Sequence, residues 1–300
     1  MIPVPRWVPD DRSGHRWWNG WVAGVTGRLV LVATPIGNLG DLSPRAVEAL
    51  AAADRVCCED TRRTGRLLQH AGVRAPGLMV VNDHTEADAV ERVLIRLRAG
   101  EKVVVVSDAG MPGISDPGER LVAAAVADGY PVEVIPGPSA ALTALTGSGL
   151  PAGRFVFEGF LPRKGSSRTE RLAALAGEQR TAVLYEAPHR VTRTLQDLAE
   201  ACGPDRRVAV ARELTKLHEE WWRSTLAEAV AHVSEVEPRG EHVVVLEGAP
   251  PPGEVPDEQI LAALAHERAA GASTRDAVAA VAVSLGVPKR RAYDLATSRA

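Results

Sequence analysis

The sequence predicts an α/β protein of two successive domains with a small helical tail, and three observations carry that prediction. From Arg28 onward, short apolar runs alternate with helical stretches, the pattern of βαβ crossovers and a largely parallel sheet. After the small-residue stretch "GSGLPAG" (147–153) the alternation starts afresh. Beyond the proline-rich "PPPGEVPD" (250–257), only short helical segments remain. The expected division is therefore an N-terminal α/β domain over 28–149, a second over 150–249, a linker over 250–257 and a tail over 258–300.

In the first domain, "RLVLVAT", "DRVCCED", "KVVVV" and "PVEVIP" read as strands. "SPRAVEALAAA", "TRRTGRLLQHA", a polar stretch from Thr85, residues 117–127 and residues 138–148 read as the helices between and after them. In the second, "GRFVFEGFL" (153–161), "TAVLYE" (181–186), "RRVAVARE" (206–213) and "EHVVVLEG" (241–248) are strands, the last apolar enough to be central. Helices are expected from about Thr169 and from Pro188.

Residues 1–27 hold four of the six tryptophans and show neither helical nor strand periodicity, so a poorly ordered extension or an upstream start is expected there. No basic start, apolar stretch and cleavage site mark a signal peptide, and no segment reaches the roughly 18 apolar residues of a membrane span. Three hundred residues at 45% hydrophobic content can bury a substantial core, and the net charge of −3 leaves nucleic-acid contact to local patches. Cys57, Cys58 and Cys202 have neither metal-ligand nor disulfide spacing, which points to core thiols and a cytoplasmic protein without a metal.

Ligands of open α/β sheets bind beyond the carboxyl ends of the strands. Four loops fall there: "ATPIGNLGD" (33–41), "EDTRRT" (59–64), "SDAGMPGISDPG" (107–118) and "IPGPSA" (135–140). The first lacks the dinucleotide G-x-G-x-x-G, Pro35 has no amide to offer a pyrophosphate, and no phosphate-cradling G-x-x-x-x-G-K-[ST] occurs. Glycine, proline, Ser107, Asp108 and Ser139 suit hydroxyl, amine and adenine-edge groups instead; tight turns with helix caps would use the same residues.

"TPIGNLGDLSPRA", "CEDTRRTGRLL", "VSDAGMPGISDPG", "PGPSA", "EGFLPRK", "YEAPHR" and "ARELTKLHEE" stand in the order and spacing of one family. The chain resembles, from about Arg28 to Glu247, the 16S rRNA cytidine 2′-O-methyltransferases of the tetrapyrrole-methylase-like fold. That resemblance implies S-adenosylmethionine as methyl donor, held in a cleft between the domains mostly through backbone groups. It assigns Pro35, Ser107, Asp108, Ala109, Gly110, Met111, Ile114, Ser139 and Ala140, with Tyr185 and Leu214 from the second domain, to the cofactor. It also implies a cytidine ribose in the decoding region of 16S rRNA as acceptor, rRNA or the small ribosomal subunit as partner, and a homodimer.

A ribose 2′-hydroxyl is weakly acidic, so a general base or polarising cation should help. Asp60, Lys164, Glu186, His189, Glu213 and Lys216 are candidates, with Lys164, Glu186 and Glu213 carried forward as catalytic. Lys164 could instead be a plain phosphate contact, and Glu186 and Glu213 the ion-pair partners of Arg190 or Arg212. RNA needs local positive charge, which Arg62, Arg63 and Arg66 in "TRRTGR" and Arg163, Lys164 and Arg168 in "PRKGSSR" provide. Trp221 and Trp222 are read as a dimer surface or as core. In the tail, Ser273 with Asp276 resembles a capping box, and "SLGVPKRRAYDLA" the turn and second helix of a helix-turn-helix, with Lys289, Arg290 and Arg291 facing RNA. Two rivals remain: a methylase of this fold acting on a tetrapyrrole precursor, and a DNA-binding regulator sensing a small molecule.

Overall fold

The computed structural model describes residues 27–74, 77–82, 86–235, 238–251 and 255–297, so the expectation for 1–27 lies almost wholly outside the described residues. The chain forms two compact units, one ending at Glu247 and the other beginning at Gly248.

The larger unit contains two five-stranded sheets. The first is built from β1 (Arg28–Val32), β2 (Arg55–Cys58), β3 (Gly77–Val80), β4 (Lys102–Val105) and β5 (Val132–Ile135) in the order β3-β2-β4-β1-β5, with every neighbour parallel. Its helices are α1 (Pro44–Ala51), α2 (Thr61–His70), α3 (Glu86–Arg98), α4 (Glu119–Ala127) and α5 (Ala140–Gly147). The valine run is continuous because β4 is buried on both faces. Val103 and Val105 pack with Leu29, Leu31, Leu97 and Leu121, while Val104 and Val106 join Val30, Leu50 and Leu68 on the other side. β3 was not expected: a four-residue edge strand, "GLMV", has no alternation to betray it.

The second sheet holds β6 (Phe155–Phe160), β7 (Thr181–Glu186), β8 (Arg207–Arg212), β9 (Glu220–Thr225) and β10 (His242–Leu246), ordered β6-β7-β10-β8-β9. Only β6 and β7 run parallel; β10 is central, as expected, and antiparallel to both neighbours. Helices α6 (Ser166–Gly177), α7 (Pro188–Cys202) and α8 (Leu226–Glu235) cover one face through Leu175, Leu195, Leu198 and Leu226. The other face receives α5, whose Ala141, Ala144 and Leu145 pack on Val183, Ala209, Ala211 and Val245. That contact joins the two sheets into one unit.

The tryptophan pair lies on β9, an edge strand the sequence reading left unassigned, and alternation sends the rings to opposite faces. Trp222 packs against the α7–α8 core beside His232, with ring centroids 4.1 Å apart. Trp221 lies over Gly147, where an added Cβ would come within 2.5 Å of the indole, and stacks under Arg223 at 4.5 Å. Both indoles are thus used within the chain.

The smaller unit is three helices, α9 (Asp257–Ala269), α10 (Thr274–Ser284) and α11 (Lys289–Thr297), closed around Ile260, Leu264, Val281 and Ala292. Ser273 caps α10, its hydroxyl oxygen accepting from the Asp276 amide at 3.2 Å while bonding the Asp276 carboxylate at 2.6 Å. Gly286, at φ +62°, makes the turn to Pro288 and α11. Lys289 and Arg290 are exposed, whereas Arg291 is tied to Asp257 Oδ1 at 2.7 Å and the Val255 carbonyl at 2.9 Å. Of the three cations expected to face RNA, Arg291 is thus bonded within its own unit.

Candidate active site

The four loops do converge at the carboxyl edge of the parallel sheet, and hydrogen bonds lock them together. Thr34 and Gly110 form a bridge, amide to carbonyl in both directions at 2.9 and 3.1 Å, and Thr34 Oγ1 donates to the Ser107 carbonyl at 3.1 Å. Gly110 sits at φ +90°, where an added Cβ would lie 3.3 Å from Ile36 Cγ2, so the position favours a bare backbone. The Asp60 amide donates to Asp108 Oδ1 at 3.2 Å and the Asp108 amide to Glu59 Oε1 at 3.1 Å, tying the second loop to the third. Glu86, buried at the start of α3, caps α4 by accepting from the amides of Gly118 (2.9 Å) and Arg120 (3.0 Å), which fixes the far end of the glycine-rich loop.

These loops face the second sheet across a cavity of about 480 Å³. Nine of the eleven cofactor candidates line it: Asp108, Ala109, Gly110, Met111, Ile114, Ser139, Ala140, Tyr185 and Leu214. Pro35 and Ser107 lie instead on an adjoining cavity of about 350 Å³. Tyr185 is fixed by edge contacts to Phe157 and Phe160, at 5.0 and 5.7 Å, and its hydroxyl accepts from the Ala141 amide at 3.2 Å. Burial pushes its phenol pKa up, so it stays neutral at physiological pH.

The sequence reading missed Glu59, Asp116, Phe160, Glu241 and His242, which also line the larger cavity. The His242 ring is buried, and burial, with Arg212 alongside, pulls its pKa down against a backbone hydrogen bond at Gly240. Neither Glu241 nor His242 belongs to a recognisable motif; their position at the start of a central antiparallel strand is the only signal.

Two catalytic candidates are held by neighbouring groups, and of the two Glu186 lines the larger cavity. The Glu186 carboxylate is fully buried: it accepts from Thr194 Oγ1 at 2.6 Å and from the Ala187 amide at 3.0 Å, and pairs with Arg190 at 3.2 Å. Glu213 does not line either cavity; it holds Lys216 Nζ at 2.8 Å and accepts from the Glu241 amide at 2.9 Å. Burial works to raise its pKa, but the Lys216 ammonium, that amide and Arg212 outweigh it and hold the carboxyl below its ordinary value. Lys216, bonded also to Glu241 Oε2 at 2.7 Å, lines both cavities; burial opposes its charge, and the two carboxylates nevertheless raise its pKa. Among the remaining candidates, His189 is exposed and Asp60 caps α2, its carboxyl pushed down to about 2 chiefly by Arg62.

Lys164 opens onto a different surface hollow, with Arg193 and Asp197, and lines neither cavity. Arg168, expected as an RNA contact, is 4% exposed and bonded to Asp197, Thr194 and the Pro162 carbonyl. The other expected RNA cations, Arg62, Arg63 and Arg163, are at the surface; Arg62 pairs with Asp60 at 3.0 Å and Arg63 with Asp108 at 3.5 Å. Among the described residues no cluster of His, Cys, Asp and Glu could hold a metal ion.

A parallel sheet with bare-backbone loops, facing a mixed sheet across such a cleft, defines a class of protein, and comparison agrees. Tetrapyrrole (Corrin/Porphyrin) Methylases match residues 28–230. The uroporphyrin-III C-methyl transferase of Thermus thermophilus, solved complexed with S-adenyl homocysteine, superposes with a TM-score of 0.54 at 23% identity over 74% of this chain and 97% of its own, which is a likeness of fold. The ribosomal RNA small subunit methyltransferase I of a Synechocystis species is 46% identical over 271 residues, 90% of this chain and 97% of that one. Its namesake in Xylella fastidiosa is 50% identical over 225 residues, 74% and 82% of the two chains. The chain belongs to the ribosomal RNA small subunit methyltransferase I family, within the tetrapyrrole methylases, and is a methyltransferase.

Proposed function

We propose that this enzyme transfers the methyl group of S-adenosylmethionine to the ribose 2′-oxygen of a cytidine in the decoding region of 16S rRNA. The observation that carries the reading is the convergence of nine motif residues from both sheets on one cavity of about 480 Å³, in a chain whose relatives are ribosomal RNA methyltransferases. The donor set fits the cofactor: main-chain groups of residues 108–111, the bare backbone of Gly110, the Ser139–Ala140 turn and a neutral tyrosine suit adenosine and a methionine tail better than they suit phosphate. The sulfonium brings an already activated methyl group, so positioning supplies much of the rate.

The chain's own residues do the positioning. The Thr34–Gly110 bridge and the Glu86 cap keep the glycine-rich loop rigid, and Tyr185 braces α5. Lys216 and Arg63 both line the two cavities, and Lys216, held by Glu213 and Glu241, is placed to polarise an acceptor hydroxyl. Arg62, Arg63, Arg163, Lys164, Lys289 and Arg290 offer phosphate contacts from exposed positions. The same reading makes the enzyme a cytoplasmic protein and a homodimer, and light scattering tests the dimer.

The deciding experiment offers labelled S-adenosylmethionine with unmodified small subunits, naked 16S rRNA and a porphyrin precursor in parallel, and maps the product by mass spectrometry. Label on one cytidine ribose is expected; label on the tetrapyrrole alone overturns the substrate and leaves the fold standing.

A further inference from the structure

Beside the 480 Å³ cavity lies the second, of about 350 Å³, and the two share Ile36, Arg63, Asp108, Ala109, Lys216 and Glu241. The chemistry changes across that common wall. The larger cavity presents Met111, Ile114, Phe160, Tyr185 and Leu214, while the smaller adds Arg66 to Arg63 and Lys216 around the bare loop of Pro35 and Gly37. Arg63 and Arg66 stand three residues apart on α2 and so share a helix face. Arg66 is exposed and has no ion-pair partner among the described residues. Lys216 arrives from the other sheet, held by Glu213 and Glu241, with its aliphatic stem against Gly37; any side chain at 37 would displace it.

We propose that this second cavity is the acceptor-nucleotide subsite, taking one ribose of an RNA strand with its two flanking phosphates. The inference rests on the methyltransferase reading and deepens it. Three cations line the cavity, Arg63 and Arg66 from one face of α2 and Lys216 from the segment between β8 and β9 of the other sheet, a set that suits the phosphates flanking a single sugar. Two carboxylates, Asp108 and Glu241, lie on the wall common to both cavities and can accept hydrogen bonds from a ribose hydroxyl or a cytosine amine. Each is paired with a cation, to Arg63 at 3.5 Å and to Lys216 at 2.7 Å, which leaves Arg66 as the charge most available to a phosphate. Because Asp108, Ala109 and Lys216 line both cavities, a sugar seated in the smaller one lies beside the contents of the larger.

The test is calorimetric titration of cytidine 3′,5′-bisphosphate into the full chain saturated with S-adenosylhomocysteine. It is run across a salt series with wild type, Arg66→Gln and Arg66→Glu. The bisphosphate should bind alongside the homocysteine compound. Arg66→Gln should weaken it roughly tenfold and flatten the salt dependence by about one charge, Arg66→Glu should weaken it further, and S-adenosylhomocysteine affinity should not move. The 2′-deoxy bisphosphate should bind severalfold more weakly. Competition between the two ligands, absence of binding, or equal binding to all three proteins overturns the assignment. Because the readout is binding, Arg66-dependent uptake beside the homocysteine compound upholds the subsite even if ribosomal RNA proves not to be methylated.

Discussion

Replacing Arg168 with Met separates a structural role from an RNA contact, because the side chain keeps most of its length and loses its charge. In the native chain the guanidinium meets three acceptors: Asp197 Oδ2 at 2.8 Å, the Pro162 carbonyl at 2.9 Å and Thr194 Oγ1 at 3.1 Å. Thr194 passes the connection on to the buried Glu186 at 2.6 Å, and Glu186 to Arg190 at 3.2 Å. Breaking a fully buried pair costs about 3 to 5 kcal/mol, most of it from the charge left behind. The side chain of Asp197 is 25% exposed and regains some water, so the low end, about 3 kcal/mol, is expected. For a unit of this size each kcal/mol moves the midpoint by about 2 to 4 °C, giving a fall of roughly 6 to 12 °C. Thermal and urea denaturation followed by circular dichroism reads it, with the urea m-value unchanged. Below the melting range, the KM for small subunits should match wild type. A variant that melts with wild type and binds RNA poorly would falsify the reasoning and return Arg168 to the surface role its basic loop suggested.

Three further perturbations probe the site. Gly110→Ala places a methyl 3.3 Å from Ile36 Cγ2 at φ +90° and should weaken S-adenosylmethionine binding by about tenfold in calorimetry with the fold intact; unchanged affinity removes the loop from the cofactor site. Lys216→Met tests the charge network by urea midpoints against pH. Glu213 is held below its ordinary pKa, so its contribution is complete above about pH 4.3 and lost as pH falls through the lower folded value; Lys216 is held above its own, so its contribution is complete below about pH 10.4 and lost as pH rises through the higher one. The difference between variant and wild type should therefore be flat from about pH 5 to 9 and shrink beyond, and a difference that changes steadily across that range would exclude the pairing. Burial pushes the Cys57 thiol up to about 12, with Cys58 beside it adding to the rise, so at pH 8 iodoacetamide should leave it unlabelled until urea is added; rapid native labelling contradicts its place in the core.

Most strands could be read because burial on both faces writes itself as an unbroken apolar run, as in "KVVVV" and "HVVVL". The two missed strands are both edges. β3 is four residues without alternation, and β9 mixes tryptophan with arginine because each face is only half covered. Strand direction has no local signature, so the mixed second sheet could not be foreseen. The same limit explains the side-chain roles. Loop positions such as Gly110 are legible, since only backbone needs are at stake. Whether a charge is free depends on partners far along the chain: Arg168 meets Asp197 across 29 residues, and Glu213 meets the Glu241 amide across 28. Lys164, two residues past Pro162, follows the loop away from the cleft for the same reason.

The rule that ligands gather at carboxyl ends of strands accounts for one side of the cleft and, taken alone, misplaces the other. In the parallel sheet every strand delivers its C-terminal loop to the same edge, so four loops scattered over 33–140 must meet. In the second sheet β10 runs against β7 and β8, with His242 opposite both Glu186 and Arg212. The carboxyl ends of β7 and β8 therefore share their edge with the amino end of β10, and Glu241 enters the site from the wrong end of a strand. Its amide is held by Glu213 and its carboxylate holds Lys216, which in turn presses on the bare backbone of Gly37 in the first loop. The antiparallel strand thus supplies the counter-charge that fixes the one lysine reaching both cavities. A parallel β10 would carry Glu241 to the opposite edge of the sheet and leave that lysine with Glu213 alone.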